Sequence, residues 1–148
     1  MSKVNNGKKA EQAVQSVLKS IDEPWFDWQR MYDATSARGV FMPQTGDFQF
    51  FTPDVHGVIE VKSTQHDYRL PKSAFSDNQR ARLERRMSAG GKIFVIVWHW
   101  TLNEWRFINY QDVHQAFNVQ GQASLDLRTI PTYPTAGEVV TRLLASVL

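Results

Sequence analysis

The run KIFVIVWHW, residues 92–100, follows Gly90-Gly91 and is apolar almost throughout. A strand that is apolar on both faces must be covered on both, so it belongs inside a sheet. The rest of the chain offers the cover. Residues 8–20 carry Ala10, Ala13, Val14, Val17 and Leu18 at helical spacing, with Glu11 beside that stripe. Residues 74–89 form a basic helical stretch ended by the glycine pair. Residues 137–148 place Val139, Val140, Leu143, Leu144 and Val147 on one helical face. Further strands are expected at 25–31, 47–52, 55–64 and 104–109, and a short helix at 110–117. The polar stretch 33–46, with Ser36, Gly39, Pro43 and Gly46, reads as a loop or a closing arm. Residues 121–135 read as irregular, and Asn103 as a turn residue. The order predicts an α/β fold, a mixed central β-sheet flanked by helices, over a single domain spanning 1–148.

Composition narrows the chemistry. The absence of cysteine excludes a disulfide framework, a thiolate zinc site and a cysteine nucleophile. His56, His66, His99 and His114 are scattered without metal-ligand spacing, and no glycine-rich loop is present to cradle a nucleotide. Neither a signal-peptide core nor a membrane span is evident, so a cytoplasmic protein with no membrane partner is expected. The net charge is only +2, but its distribution is uneven. Lys3, Lys8 and Lys9 crowd one segment, and Arg80, Arg82, Arg85 and Arg86 another. Either group can meet phosphate, or can be a solvated helix face. Trp98, Trp100 and Trp105 fit sheet or interface positions better than base-stacking ones.

The stretch TGDFQFFTPDVHGVIEVKST, residues 45–64, is the chemically informative one. It reads as a hairpin turning at Pro53-Asp54. Side chains alternate along a strand, so Val58, Glu60, Lys62 and Thr64 share one face. A two-residue turn sets Asp47 opposite Glu60 and Phe48 opposite Ile59. Two carboxylates and an ammonium then converge on one patch. Close carboxylates repel unless a cation lies between them, and oxygen ligands of this kind select Mg²⁺ or Mn²⁺. The backbone carbonyl of Val61 is placed to join them. A metal, a water and a cation are what phosphodiester hydrolysis requires. The same Glu-Val-Lys triplet also fits a surface ion pair on an amphipathic strand. A longer loop would make Asp54 the competing ligand.

Gly46-Asp47, a gap, and Ile59-Glu60-Val61-Lys62 resemble the signature of the PD-(D/E)XK nucleases. NNGKKAEQAV resembles the start of the first helix in RecU-like Holliday-junction resolvases of that superfamily. EVKSTQHDYRLPKSAFSDNQRARLERRMSAGGKIFVIV resembles their run from the catalytic strand through Lys-x-Thr, a Phe and a Gln-bearing helix to an apolar strand. EWRFINYQDV resembles the strand and helix beyond that run. The likeness covers roughly residues 5 to 115. It implies a restriction-endonuclease-like core and a Mg²⁺-dependent endonuclease that resolves branched double-stranded DNA as a homodimer, encoded by a bacterium or a phage. Asp47 and Glu60 would be the principal metal ligands. Glu11 would complete the shell, directly or through water. Lys62 would serve the attacking water, and Gln79 would hold the water or the scissile phosphate. Lys8, Lys9, Thr64, Arg80 and Arg82 would contact DNA. Glu11 and Gln79 also fit as ordinary polar helix residues. Gly46 stands where the motif has proline, and the family's long DNA-entering stalk has no counterpart of similar length. Restriction, repair or exonuclease types of the same superfamily, or a non-catalytic nucleic-acid-binding module, are the alternatives.

Overall fold

The computed structural model describes residues 5–31, 34–35, 41–42, 46–65 and 68–148. Lys3, His66 and most of the stretch 33–46 lie outside the described residues. Helix α1 (Asn6–Ser20) opens the fold. Its N-cap, Asn5, accepts a hydrogen bond from the Lys8 amide at 2.9 Å, satisfying one of the orphan amides of the first turn. Strand β1 (Asp27–Arg30) follows, then two short strands, β2 (Ala34–Thr35) and β3 (Phe41–Met42). These two pair with each other, so the stretch read as a loop contains a small antiparallel ladder.

Strands β4 (Phe48–Phe51) and β5 (His56–Thr64) form the expected hairpin. Thr52 and Val55 exchange both backbone hydrogen bonds across Pro53-Asp54, at 2.9 and 3.3 Å. That two-residue turn fixes the register at Phe48 opposite Ile59 and Phe51 opposite His56. Asp54 sits exposed in the turn, at the opposite end of the hairpin from Glu60, which removes it as a competing ligand.

Beyond β5 the chain runs through β6 (Arg69–Pro71) and a single 3₁₀ turn (Lys72–Ala74). Helix α2 (Asp77–Ser88) then starts three residues later than the sequence pattern predicts. The delay has a local cause: the Ser76 hydroxyl accepts from the Gln79 amide at 3.1 Å and so caps the helix there. Strand β7 (Lys92–His99) pairs parallel to β5, and β8 (Glu104–Asn109) antiparallel to β7. The sheet order is β1-β4-β5-β7-β8, a mixed sheet with the apolar run one place in from its edge. Helix α3 (Tyr110–His114) runs into a π-helical turn (Gln115–Val119). The segment read as irregular contains β9 (Ser124–Asp126), which pairs with β6. Helix α4 (Ala136–Ala145) closes the described chain.

The two sheet faces have separate cores. On one, Phe48, Phe50, Ile59, Val61, Phe94 and Ile96 pack against α1 and α4. On the other, Val58, Ile93, Val95, Val97 and Ile108 pack against Leu83 of α2, α3 and Leu70 of β6. Cover on both faces is what lets a run as apolar as β7 stay out of water. Trp98 and Trp105 stack across β7 and β8 with ring centroids 5.5 Å apart, which makes them sheet residues. No described helix is long and apolar enough to cross a membrane.

Candidate active site

The site forms where β4 begins. Gly46 has φ +81°, and a Cβ there would lie 2.4 Å from Val58 Cγ1. Proline, fixed near φ −65°, cannot adopt that conformation, so the backbone at this position excludes it. Asp47 is held on three sides. Its amide donates to the Ile59 carbonyl at 3.0 Å, and its carbonyl accepts from the Met31 amide at 2.9 Å. Its carboxylate Oδ2 accepts from the Val61 amide at 2.7 Å. The strand alternation that turns the Ile59 carbonyl to β4 turns the Val61 carbonyl the same way, towards Asp47.

Glu60 and Lys62 project from β5 on the α2 side of the sheet, the same side as Asp47. Glu60 is only 3% exposed and Asp47 2%. Gln79, in the first turn of α2, lies between the members of the Glu-x-Lys pair. Its Nε2 donates to Glu60 Oε1 at 2.7 Å, and its Oε1 accepts from Lys62 Nζ at 3.0 Å. Lys62 Nζ is also 3.2 Å from Glu60 Oε1. The pair is thus a largely buried, three-membered arrangement with an amide bracing both charges, which the surface-ion-pair reading does not describe.

Electrostatics bear on the cation question. Burial first, and the neighbouring Glu60 charge second, push the Asp47 carboxyl up, to about 8 in all. The Val61 amide works against this, while Glu11 adds to it. Burial also raises Glu60, against the pull of Lys62 and the hydrogen bonds from Lys62, Gln79 and Asp47. Two buried acids that both resist ionisation are a pair that a cation would stabilise. Glu60 Oε2 is buried and is engaged by neither Gln79 nor Lys62, which both meet Oε1, so it could serve a cation. Among the described residues no three acidic or histidine side chains are close enough to form a complete cation cage as they stand. The oxygens that could hold a cation here are two carboxylates and a carbonyl, and a set that small fits only an ion that keeps several of its waters, as Mg²⁺ does.

Glu11 approaches Asp47 from α1, on the other face of the sheet, and is near enough to raise its pKa. Its Oε2 is paired with Arg30 Nη2 at 3.1 Å. The Arg30 guanidinium in turn lies over the Phe48 ring, 4.8 Å from its centroid. The sequence reading missed Arg30. Its one signal is its place in the strand hydrogen-bonded to β4, opposite Phe48, and that register is not readable locally.

The DNA-contact candidates divide. Lys8 and Lys9 are exposed on the first turns of α1. Gly7 brings that turn close to Ser63 of β5, where a Cβ would lie 3.8 Å from the hydroxyl. Arg82 is exposed on the outer face of α2 and shares a shallow basic cleft with Arg85 and Arg86. Arg80 turns the other way: it pairs with Asp77 and donates to Asn118 Oδ1 at 3.4 Å. Thr64 is 5% exposed, and its hydroxyl donates to the Arg69 carbonyl at 3.2 Å. The structure therefore places Arg80 and Thr64 in internal contacts, unlike the exposed lysines and Arg82.

The fold is similar to that of Hjc, a Holliday junction resolvase from the archaeal hyperthermophile Archaeoglobus fulgidus. The TM-score is 0.57 and the identity 18%, over 90% of this chain and 98% of that one. At that identity the likeness is one of fold. No family model and no curated protein matches the chain.

Proposed function

We propose that this chain is a divalent-metal-dependent endodeoxyribonuclease that resolves branched DNA such as a Holliday junction. The observation that carries this is the convergence of Asp47, Glu60 and Lys62 on one buried patch, with the hairpin register that puts them there. The fold likeness to a junction resolvase supports the choice of substrate class. Assignment to the RecU-like branch rests on the sequence motifs.

Asp47, Glu60 and the Val61 carbonyl would hold Mg²⁺ or Mn²⁺, with Glu11 joining directly or through water once released from Arg30. The ion would supply a Lewis acid for a phosphoryl oxygen and a bound water of lowered pKa. Lys62 orients the attacking water and offsets the charge that builds on the phosphate. Gln79 keeps Lys62 and Glu60 at a fixed separation, so neither side chain has to be ordered when substrate arrives. Lys8, Lys9 and Arg82 contact backbone phosphates, which gives binding by shape and charge without base readout. Two symmetric cuts across a four-way junction call for two active sites related by a two-fold axis, hence a homodimer.

The test is a synthetic four-way junction and a linear duplex, each incubated with Mg²⁺ and with either native protein or Glu60→Gln. Native protein is expected to cut the junction in preference, and Glu60→Gln to bind without cutting. Equal cutting of both substrates would move the reading to a nuclease without junction selectivity. Binding without cutting by the native protein would leave a non-catalytic DNA-binding module.

A further inference from the structure

Lys62 has a neighbour that is neither acid nor amide. Its Nζ lies over the ring of Phe75, 4.8 Å from the centroid. Phe75 is 3% exposed and sits at a junction. It ends the 3₁₀ turn, where its amide donates to the Lys72 carbonyl at 3.0 Å, and it precedes Ser76, the cap of α2. Two more rings hold it. Tyr110 and Phe117 meet it at 68° and 62°, with centroids 6.4 and 6.1 Å away. A ring braced in this way by α3 and the π-helical turn has little freedom to tilt.

We infer that Phe75 is a positioning residue for Lys62, presenting a cation-binding ring face that holds the ammonium in place while leaving one of its N–H groups for water or phosphate. This rests on the reading that Lys62 serves phosphodiester hydrolysis. An ammonium has three donors. Gln79 Oε1 and Glu60 Oε1 take two of them. A third oxygen acceptor in the place of Phe75 would hold the charge equally well, but it would occupy the remaining donor. The negative face of an aromatic ring attracts the cation through its quadrupole and requires no directed hydrogen bond. The contact is also sheltered, since the Lys62 side chain is only 15% exposed, and cation–π attraction strengthens with desolvation.

Fluorinated phenylalanines test this, because fluorine drains the ring face of electron density with little change of shape. Full-length protein is made with 4-fluoro-, 3,5-difluoro- and 3,4,5-trifluorophenylalanine at position 75. kcat on the Mg²⁺-loaded junction is expected to fall stepwise, by roughly tenfold across the series. KM and melting temperature should stay near native values. A flat kcat across the series overturns the inference, because a purely structural ring is indifferent to its quadrupole. A second readout needs no activity. In protein with ¹³C-labelled lysine, the Lys62 ε-methylene should resonate upfield of the other lysines and return to the common position in Phe75→Leu. An ordinary Lys62 resonance in the native protein overturns the placement whether or not the protein cuts DNA. If the native protein cuts no DNA, the nuclease reading fails, and the Lys62 resonance alone decides whether Phe75 holds the ammonium.

Discussion

Replacing Gly46 with alanine probes the feature on which the site is built. The added Cβ would lie 2.4 Å from Val58 Cγ1 and 3.4 Å from the Ile59 carbonyl. Val58 is fully buried and β-branched, so it cannot rotate aside without a clash elsewhere. Over-packing of this kind costs about 1–3 kcal/mol. The backbone adds to it, since φ +81° disfavours any L side chain by about 1–2 kcal/mol. The expected loss is therefore about 2–5 kcal/mol, or a fall in melting temperature of about 5–20 °C for a chain of this size. Urea unfolding followed by tryptophan fluorescence in EDTA measures it. Gly90→Ala is the control: φ is +97° there, and nothing lies within 4 Å of the added Cβ. It should show only the backbone cost. The double variant Gly46→Ala/Val58→Ala should cost about 1–3 kcal/mol less than the sum of its parts, because the clashing methyl is gone. If Gly46→Ala and Gly90→Ala cost the same and the double variant is additive, the Val58 contact does not shape this turn.

Three further outcomes are expected at the site. Asp47 has a folded-state pKa raised to about 8, so the native state holds more protons than the unfolded chain between about pH 4 and pH 8. Metal-free protein should lose stability as pH rises through that window, and Asp47→Asn should flatten the slope of the urea midpoint against pH; a native slope equal to that of the variant would count against the buried pair. Gln79→Leu leaves Glu60 and Lys62 each short of a partner, so it should cost about 1–3 kcal/mol in urea unfolding and lower kcat more than it changes KM. Among the basic residues, Lys8→Ala, Lys9→Ala and Arg82→Ala should each reduce the salt slope of junction binding by about one, whereas Thr64→Val should leave it unchanged.

The hairpin was legible in the sequence because its information is local. Pro53-Asp54 sets a two-residue turn, and alternation carries that setting down both strands to Asp47 and Glu60. The run at 92–100 was legible because continuous apolarity admits few places in a fold. The small ladders β2-β3 and β6-β9 were not legible. Strands of two or three residues have no periodicity to read, and β6 and β9 pair across more than fifty intervening residues. The later start of α2 turned on one serine hydroxyl, and Ala74-Phe75 before it offered no sharper boundary. Arg80 and Arg82 look alike in sequence, two residues apart. On a helix that separation turns them to different sides, one towards Asn118 and one towards solvent.

What the sequence determined by itself was which groups share a face of the hairpin, since turn length and the two-residue period of a strand leave little choice. What only the tertiary structure decided was the company those groups keep. Gln79 meets Glu60 and Lys62, Phe75 lies under Lys62, and Glu11 is paired with Arg30, because α2 and α1 dock on opposite faces of one sheet. Docking of that kind is set by apolar surfaces far apart along the chain, whose fit is a property of the assembled core and of no single segment.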